Sequence, residues 1–168
     1  DTREHLADRL AEDVAEELRR VVAAKGKATL AVSGGTTPKL FFEKLSKADL
    51  PWPRVTVTLV DERQVPEASE RSNARLVRQA LLKNKAAAAT FVPLFRNPDA
   101  SKTVPLDVVI LGMGSDGHTA SFFPHGSTLP QALDPDSAET LIELQAPGAG
   151  EPRVTFTLPA LLAAGRLK

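Results

Sequence analysis

Apolar residues near the start of the chain recur at every third or fourth position, with charged residues between them. This spacing places the apolar residues on one face of a helix, as in amphipathic helices that pack on a protein core. Gly26 follows the last of them, and glycine is favoured where a helix ends. The pattern predicts a long first helix that covers a sheet through Leu6, Leu10, Val14, Leu18, Val21 and Val22.

Beyond this helix, short β-rich runs alternate with segments of helical spacing. The runs predict strands at 28–32, 55–60, 90–95, 106–111, 141–146 and 153–157. Helices are predicted from Pro38 with Thr37 as the N-cap, from Ser72 or Asn73, and from Pro159. Alternating strands and helices indicate an α/β fold with a mostly parallel sheet, formed by a single domain over residues 1–168.

One connection does not fit this pattern. Ten residues, RNPDASKTVP, separate Phe95 from Leu106, and they show no helical spacing. A crossover between parallel strands takes roughly a dozen residues and usually contains a helix. The last residues, GRLK, come directly after the predicted final helix. We therefore expect the domain to have further residues, absent from this sequence, near 97–105 and near the C-terminus.

The composition of the chain excludes several functional classes of protein. The chain has 21 Lys and Arg against 21 Asp and Glu, so no net charge attracts nucleic acid or a membrane surface. The absence of cysteine excludes disulfides and thiolate metal sites and is consistent with a reducing compartment. No apolar run approaches the roughly 18 residues of a membrane span, and no signal peptide is recognisable. These features predict a cytoplasmic protein that binds neither nucleic acid nor membrane, and the lack of an apolar surface stripe favours a monomer.

Polar segments follow three of the predicted strands. In an open parallel sheet, ligands bind beyond the carboxyl ends of the strands, so all three segments should open onto one edge. The first, SGGTTP, covers residues 33–38. Its glycines allow a ligand to approach the backbone, and the next helix directs free N–H groups to the same place, which suits phosphate. A tight turn before a well-capped helix explains the same residues, so both interpretations stay open.

The second segment, DERQVP, follows the strand predicted at 55–60. It contains Asp61, Glu62 and Arg63, and an arginine fork in this position can bind phosphate or carboxylate through two hydrogen bonds. The alternative is a surface cluster of salt bridges. The location directly after a buried strand favours a functional role.

The third segment, LGMGSDGHTASFFP, covers residues 111–124 and contains the spacing G-x-G-x-x-G. A dinucleotide site would also need a long helix and an acidic residue about 20 positions further on. Pro124 cuts any such helix short, which argues against that site. The segment instead places Asp116 two residues before His118, which can accept a proton near neutral pH. Structural roles are expected for His5 and His125.

Four motifs together resemble the 6-phosphogluconolactonase family, which is grouped with the glucosamine-6-phosphate isomerases. The motifs are AVSGGTTP, LVDERQVP with SNARLV downstream, LGMGSDGHTASFFP and PRVTFTLPALL. They occur in the family's order and cover nearly the whole chain. The resemblance implies a Rossmann-like, three-layer α/β domain of the type shared with glucosamine-6-phosphate deaminase and ribose-5-phosphate isomerase.

The resemblance also implies an activity and a set of site residues. The activity is hydrolysis of 6-phospho-D-glucono-1,5-lactone to 6-phosphogluconate, the second step of the oxidative pentose phosphate pathway, without a metal or an organic cofactor. His118 would be the general base that activates water, and Asp116 would orient His118 or the water. Asp61 would contact sugar hydroxyls. The phosphate would be bound by Ser33, Gly34, Gly35, Thr36, Arg63 and Arg153.

Three alternatives compete with this interpretation. An isomerase-deaminase of the same scaffold has an acidic residue just before the proline of the third segment, where this chain has Phe123, which favours the lactonase. A serine hydrolase using Ser33 lacks the G-x-S-x-G nucleophile elbow. A sugar-phosphate sensor without catalysis would bind ligand but leave it unaltered. Phe122 and Phe123 are expected to pack beneath the loop, and Met113 to fill space near its glycines.

Overall fold

The computed structural model describes residues 2–168, and over that range the chain forms five α-helices and eight β-strands. The helices are α1 (Arg3–Lys25), α2 (Lys39–Leu45), α3 (Asn73–Ala80), α4 (Leu129–Leu133) and α5 (Leu158–Leu162). The strands are β1 (Ala28–Val32), β2 (Val55–Leu59), β3 (Asp61–Arg63), β4 (Thr90–Val92), β5 (Val108–Ile110), β6 (Leu141–Leu144), β7 (Arg153–Phe156) and β8 (Arg166–Leu167).

A five-stranded parallel sheet forms the centre of the domain. Its strand order is β4-β2-β1-β5-β8, and β1 lies between β2 and β5, with Leu30 paired to Val57 on one side and Val108 on the other. These three side chains are fully buried. Strands buried on both faces are expected to be almost continuously apolar, which is why the sequence pattern finds them. The predicted α/β class with a mostly parallel sheet is confirmed.

A second, smaller sheet is antiparallel and was not expected. Its order is β3-β7-β6, so the predicted strands at 141–146 and 153–157 lie outside the parallel sheet. The segment DERQVP is also not a loop throughout, because Asp61–Arg63 pair with Thr155–Arg153 as strand β3. Val60 makes the transition: its N–H donates to Val32 of the parallel sheet, and its carbonyl accepts from Phe156. The chain therefore leaves the parallel sheet at Val60, and the polar segment after it begins in the antiparallel sheet.

The helix boundaries follow the sequence signals closely, with two corrections of one residue each. Helix α1 begins after Thr2, whose hydroxyl accepts from the backbone of His5, and ends at Gly26 in the left-handed conformation. Helix α3 begins at Asn73, one of the two predicted starts, and Ser72 caps it through the backbone N–H of Arg75. Helix α5 begins at Leu158, one residue before the predicted Pro159. The predicted start of α2 is wrong: the helix begins at Lys39, one residue later than Pro38. Pro38 itself occupies the cap position after a turn, and no side chain caps the helix.

Two further segments bear on the predicted boundaries. The connection from β4 to β5 contains a short 3-10 helix at Ala100–Thr103, and the expectation of additional residues near 97–105 and near the C-terminus stays a prediction. The C-terminal residues add β8, which pairs in parallel with β5 and was not predicted. Across residues 2–168, no helix is long and apolar enough to cross a membrane.

Candidate active site

The loop that follows β5 folds back tightly around His118. The N–H of Gly114 donates to the carbonyl of His118 over 2.8 Å, and the N–H of Gly117 donates to Gly114 over 3.0 Å. Gly117 has a φ of 84°, a left-handed conformation that is strained for residues with a side chain. This turn lets Asp116 accept a hydrogen bond from the backbone N–H of His118 over 3.2 Å and another from its imidazole Nδ1.

The contact with Asp116 determines which imidazole nitrogen can act as a base. The hydrogen bond from His118 lowers the pKa of the Asp116 carboxyl, so this side chain is ionised at neutral pH. An ionised carboxylate can only accept, so in the neutral imidazole of His118 the proton lies on Nδ1 and the lone pair on Nε2. The His118 side chain is 22% exposed, which leaves it accessible to a small molecule. The pair predicted from the D-G-H motif is therefore brought together in a geometry suited to proton transfer.

Phe123 supports the imidazole from beneath. Its ring stacks on that of His118 with centroids 3.9 Å apart and planes 24° apart, and the guanidinium of Arg153 lies 4.9 Å from the same ring. Phe123 is buried, as predicted, and Phe122 packs against the main core. The expectation for Met113 is wrong, because its side chain is 81% exposed and points away from the core.

Arg153 belongs to a buried polar network that joins three segments of the chain. Its Nη1 lies 3.6 Å from Oδ2 of Asp61, and Ser121 donates to the same oxygen over 2.6 Å. Nη2 of Arg153 donates to the carbonyl of Ala149. Burial lowers the pKa of the Arg153 guanidinium, and the nearby positive charge of Arg63 lowers it further. Asp61 is thus engaged by protein groups inside the molecule.

Arg63, in the second polar segment, is held by two acceptors near the start of α3. Its Nη1 donates to the carbonyl of Arg71 over 3.0 Å and to Oδ1 of Asn73 over 2.8 Å. Gly34 packs directly on the same Asn73 amide, so that a Cβ at position 34 would overlap it. The three sequence segments that supply Gly34, Arg63 and Asn73 therefore meet at one place.

The segment 33–36 is also joined to the histidine loop. Ser33 donates its hydroxyl to the carbonyl of Ile110 over 3.0 Å and accepts from the N–H of Gly112 over 3.2 Å. These bonds give Ser33 a structural partner on each side and no contact with His118, which argues against a serine nucleophile. Among residues 2–168, the backbone N–H groups of Gly34, Gly35 and Thr36 have no acceptor.

Glu62 is a buried carboxylate that the sequence did not single out for a separate role. It accepts hydrogen bonds from the backbone N–H groups of Arg63, Asn73 and Ala74 and from the hydroxyl of Ser72, over 2.7–3.1 Å. Burial raises the pKa of the Glu62 carboxyl, and these donors oppose the shift. The carboxylate thus ties the first turn of α3 to β3, next to Arg63.

Comparison with known proteins identifies the family. The family model described as Glucosamine-6-phosphate isomerases/6-phosphogluconolactonase matches residues 1–167. The chain belongs to this glucosamine-6-phosphate isomerase/6-phosphogluconolactonase family.

Similar members of the family are lactonases by name. A 6-phosphogluconolactonase from Rhizobium meliloti is 54% identical over 175 aligned positions, covering 96% of this chain and 75% of the relative. One from Mesorhizobium japonicum is 49% identical, covering 97% of this chain and 74% of the relative. The crystal structure of a 6-phosphogluconolactonase from Shewanella baltica superposes with a TM-score of 0.94 at 38% identity, covering 99% of this chain and 76% of that one.

Within this family fold, the predicted site residues form two adjoining groups. His118 and Asp116 form the first, and the segment 33–36 with Arg63 forms the second. Arg153 in β7 and Asp61 in β3 form an ion pair next to Phe123, whose ring stacks on His118. Asn73 and Ser121 were not predicted as site residues. The sequence signal for Asn73 was its place in the SNARLV motif, which predicts the start of a helix and contributes to the family resemblance.

Proposed function

We propose that this chain is a 6-phosphogluconolactonase, which hydrolyses 6-phospho-D-glucono-1,5-lactone to 6-phosphogluconate in the oxidative pentose phosphate pathway. The observation that carries the proposal is the pairing of His118 with the ionised Asp116, which leaves Nε2 as the base, on a Phe123 ring that Arg153 also contacts. The names of the lactonase relatives, up to 54% identical over most of the chain, agree with it.

In the proposed reaction, Nε2 of His118 removes a proton from water as the water oxygen attacks the lactone carbonyl carbon. The negative charge of Asp116 stabilises the resulting imidazolium through Nδ1. When the tetrahedral intermediate collapses, the bond between the carbonyl carbon and the ring oxygen breaks. The imidazolium then returns its proton to the ring oxygen, which becomes a hydroxyl, and the new carboxylic acid ionises. His118 leaves the cycle in its starting state.

The proposed phosphate site is the segment 33–36, which is joined to the start of the histidine loop through Ser33. The unpaired N–H groups of Gly34, Gly35 and Thr36 can donate to phosphate oxygens, and Arg63 supplies positive charge beside them. Helix α2 has only seven residues and no side-chain cap, so the loop backbone contributes more than the helix end. Arg153 is enclosed by Asp61, Ala149 and Phe123. We propose that it attracts the substrate phosphate by long-range electrostatics, without a direct hydrogen bond.

The surroundings of Asp61 in the structure lead us to propose a different role for it. Its side chain is 7% exposed, and Oδ2 is occupied by Ser121 and Arg153. A carboxylate in this environment fixes its neighbours more readily than it binds a sugar. We therefore propose that Asp61 positions Arg153 and the loop containing Ser121, and that sugar hydroxyls are bound elsewhere in the site.

The isomerase alternative is disfavoured by Phe123. Moving a carbon-bound proton during aldose–ketose isomerisation needs a base. The position before Pro124 holds a buried aromatic ring, stacked on His118, where an acid would be needed. No carboxylate replaces it at that position, so lactone hydrolysis is the activity that the residues support.

The test is a direct comparison of the two substrates. 6-Phosphogluconolactone is generated in situ, and its disappearance is followed with and without the protein, because the lactone also opens spontaneously. Glucosamine 6-phosphate is incubated in parallel and assayed for released ammonia. We expect accelerated loss of the lactone and no ammonia. Ammonia release without lactone hydrolysis would establish the isomerase alternative. Binding of the sugar phosphate without either reaction would establish the non-catalytic sensor.

A further inference from the structure

We propose that Asn73 is a positioning residue for substrate phosphate: its amide holds one end of the Arg63 guanidinium and sets the distance between that guanidinium and the segment 33–36. This inference rests on the proposed lactonase function for its substrate. It concerns a residue of the SNARLV motif, which contributes to the family resemblance and to the predicted start of a helix but gave Asn73 no role in the site.

Both ends of the Asn73 amide have a partner, and both partners lie in β3. Oδ1 accepts from Nη1 of Arg63 over 2.8 Å, and Nδ2 donates to the carbonyl of Asp61 over 3.0 Å. The amide also forms the surface on which Gly34 packs, because any Cβ at position 34 would overlap it. One side chain therefore connects β3 with the segment 33–36. Asn73 is 2% exposed, so this contact is shielded from water.

The backbone of Asn73 is held as firmly as its side chain. Its N–H donates to Oε1 of the buried Glu62 over 2.8 Å, and the N–H of Ala74 donates to Oε2 over 2.7 Å. Buried carboxylates that accept several N–H bonds fix the donors strongly in place. Glu62 lies between Asp61 and Arg63 in β3, so α3 and the arginine share one anchor.

This arrangement leaves a defined part of Arg63 for a ligand. Nη1 is used by Asn73 and by the carbonyl of Arg71. Nε and Nη2 have no acceptor among residues 2–168, but Nε is buried from solvent, so Nη2 is the nitrogen that a ligand can reach. A guanidinium N–H is a strong donor to an oxyanion such as phosphate.

Asn73 therefore selects which nitrogen of Arg63 remains free, and Gly34 on its other side limits how far the amide can move. In the proposal, Nη2 donates to the phosphate that is held on the segment 33–36. Removal of the amide should release Nη1 and allow the guanidinium to turn. Because the amide makes no hydrogen bond to His118, the loss should appear in substrate binding more than in the chemical step.

The test uses three variants at or near the start of α3. Asn73→Ala removes the amide, and Asn73→Asp keeps an acceptor for Arg63 but adds a negative charge beside the phosphate. Ser72→Ala removes the helix cap without touching Arg63 or Gly34, and so serves as the matched control for helix stability. KM and kcat are measured for the lactone, and the Kd of inorganic phosphate and of 6-phosphogluconate is measured by calorimetry, with thermal unfolding of every variant.

We expect KM and both Kd values to rise about 10-fold in Asn73→Ala and further in Asn73→Asp, with kcat within about 3-fold of the wild type. Ser72→Ala should lower Tm while KM and Kd stay near wild-type values. Unchanged Kd values in a folded Asn73→Ala would overturn the proposal, as would an equal rise in Ser72→Ala. If the wild type fails to hydrolyse the lactone, the lactonase function fails, and the phosphate Kd values still decide the role of Asn73.

Discussion

Oδ1 of Asp116 accepts hydrogen bonds from two atoms of His118, the backbone N–H at 3.2 Å and the imidazole Nδ1. The Asp116 carboxylate thus fixes both the backbone N–H of His118 and the orientation of the His118 ring. The turn through Gly117 makes this possible within eight residues of the end of β5. The catalytic proposal depends on this local geometry more than on any distant contact.

Asp116→Asn should lower kcat by about 10- to 10³-fold, because a neutral amide stabilises the imidazolium less and no longer selects its tautomer. Asp134→Asn is a matched control, since Asp134 also accepts from the backbone two residues on, over 2.9 Å, but in an exposed turn. Steady-state kinetics of both variants test the prediction. Equal activities in the two would show that the carboxylate of Asp116 has no catalytic role.

Phe123→Leu should lower both activity and stability, because the smaller side chain no longer stacks on His118 or underlies Arg153. We expect a loss of about 1–2 kcal/mol in unfolding free energy and about a 3- to 10-fold fall in kcat. Phe122→Leu changes the neighbouring ring, which packs on the main core, and should keep kcat near the wild-type value. Urea unfolding and kinetics of both variants provide the measurement. A fully active Phe123→Leu protein would contradict the positioning role.

Asp61→Asn should destabilise the fold by about 3 kcal/mol, because it leaves Arg153 buried without a counter-charge. Asp99→Asn, at an exposed carboxylate paired with Lys102, should change stability by less than about 1 kcal/mol. Chemical unfolding at neutral pH measures both. An Asp61→Asn variant of wild-type stability with a strongly raised KM would instead support direct contact between Asp61 and the sugar hydroxyls.

The ion pair between Arg71 and Glu151 gives a pH-dependent contribution to stability. Arg71 lowers the pKa of Glu151 from 4.5 to about 2, so the contribution is complete above pH 4.5 and is lost as the pH falls toward 2. Glu151→Gln should destabilise the protein by about 0.5 kcal/mol at pH 7, since the pair is partly exposed to water. Glu143→Gln, at an exposed carboxylate, is the control. A Glu151→Gln difference that does not shrink between pH 5 and pH 3 would show that the charge is not its source.

Local patterns in the sequence predicted the parallel sheet well and the antiparallel sheet poorly. Strands β1, β2 and β5 are apolar because they are buried in the sheet centre, so their pattern alone reveals them. Strand β3 consists of three charged residues and is a strand only because β7, about 90 positions later, pairs with it. Pairing over such a distance leaves no trace in the local pattern.

The same distinction holds for the site. The relationship of Asp116 to His118 spans two residues and could be predicted from the motif. The contacts of Asn73 with Gly34 and of Ser121 with Asp61 join positions that are far apart in sequence. Their side chains are ordinary polar groups whose roles arise from folding. These contacts form because the fold brings the strand ends together, so they can be recognised only in the structure.

The central claim is that Nε2 of His118 is the base for lactone hydrolysis, and the most direct measurement is a pair of identical substitutions. His118→Asn removes the base, and His125→Asn changes an exposed histidine in the same loop, where asparagine also tolerates the left-handed φ of 60°. The spontaneous rate of lactone opening is subtracted from each assay, and the Kd of 6-phosphogluconate is measured for each protein.

We predict that His118→Asn loses about 10²- to 10⁴-fold in kcat while its Kd for 6-phosphogluconate stays within about 3-fold of the wild type. His125→Asn should retain wild-type kcat. A His118→Asn variant that binds the product and hydrolyses the lactone at the wild-type rate would contradict the claim.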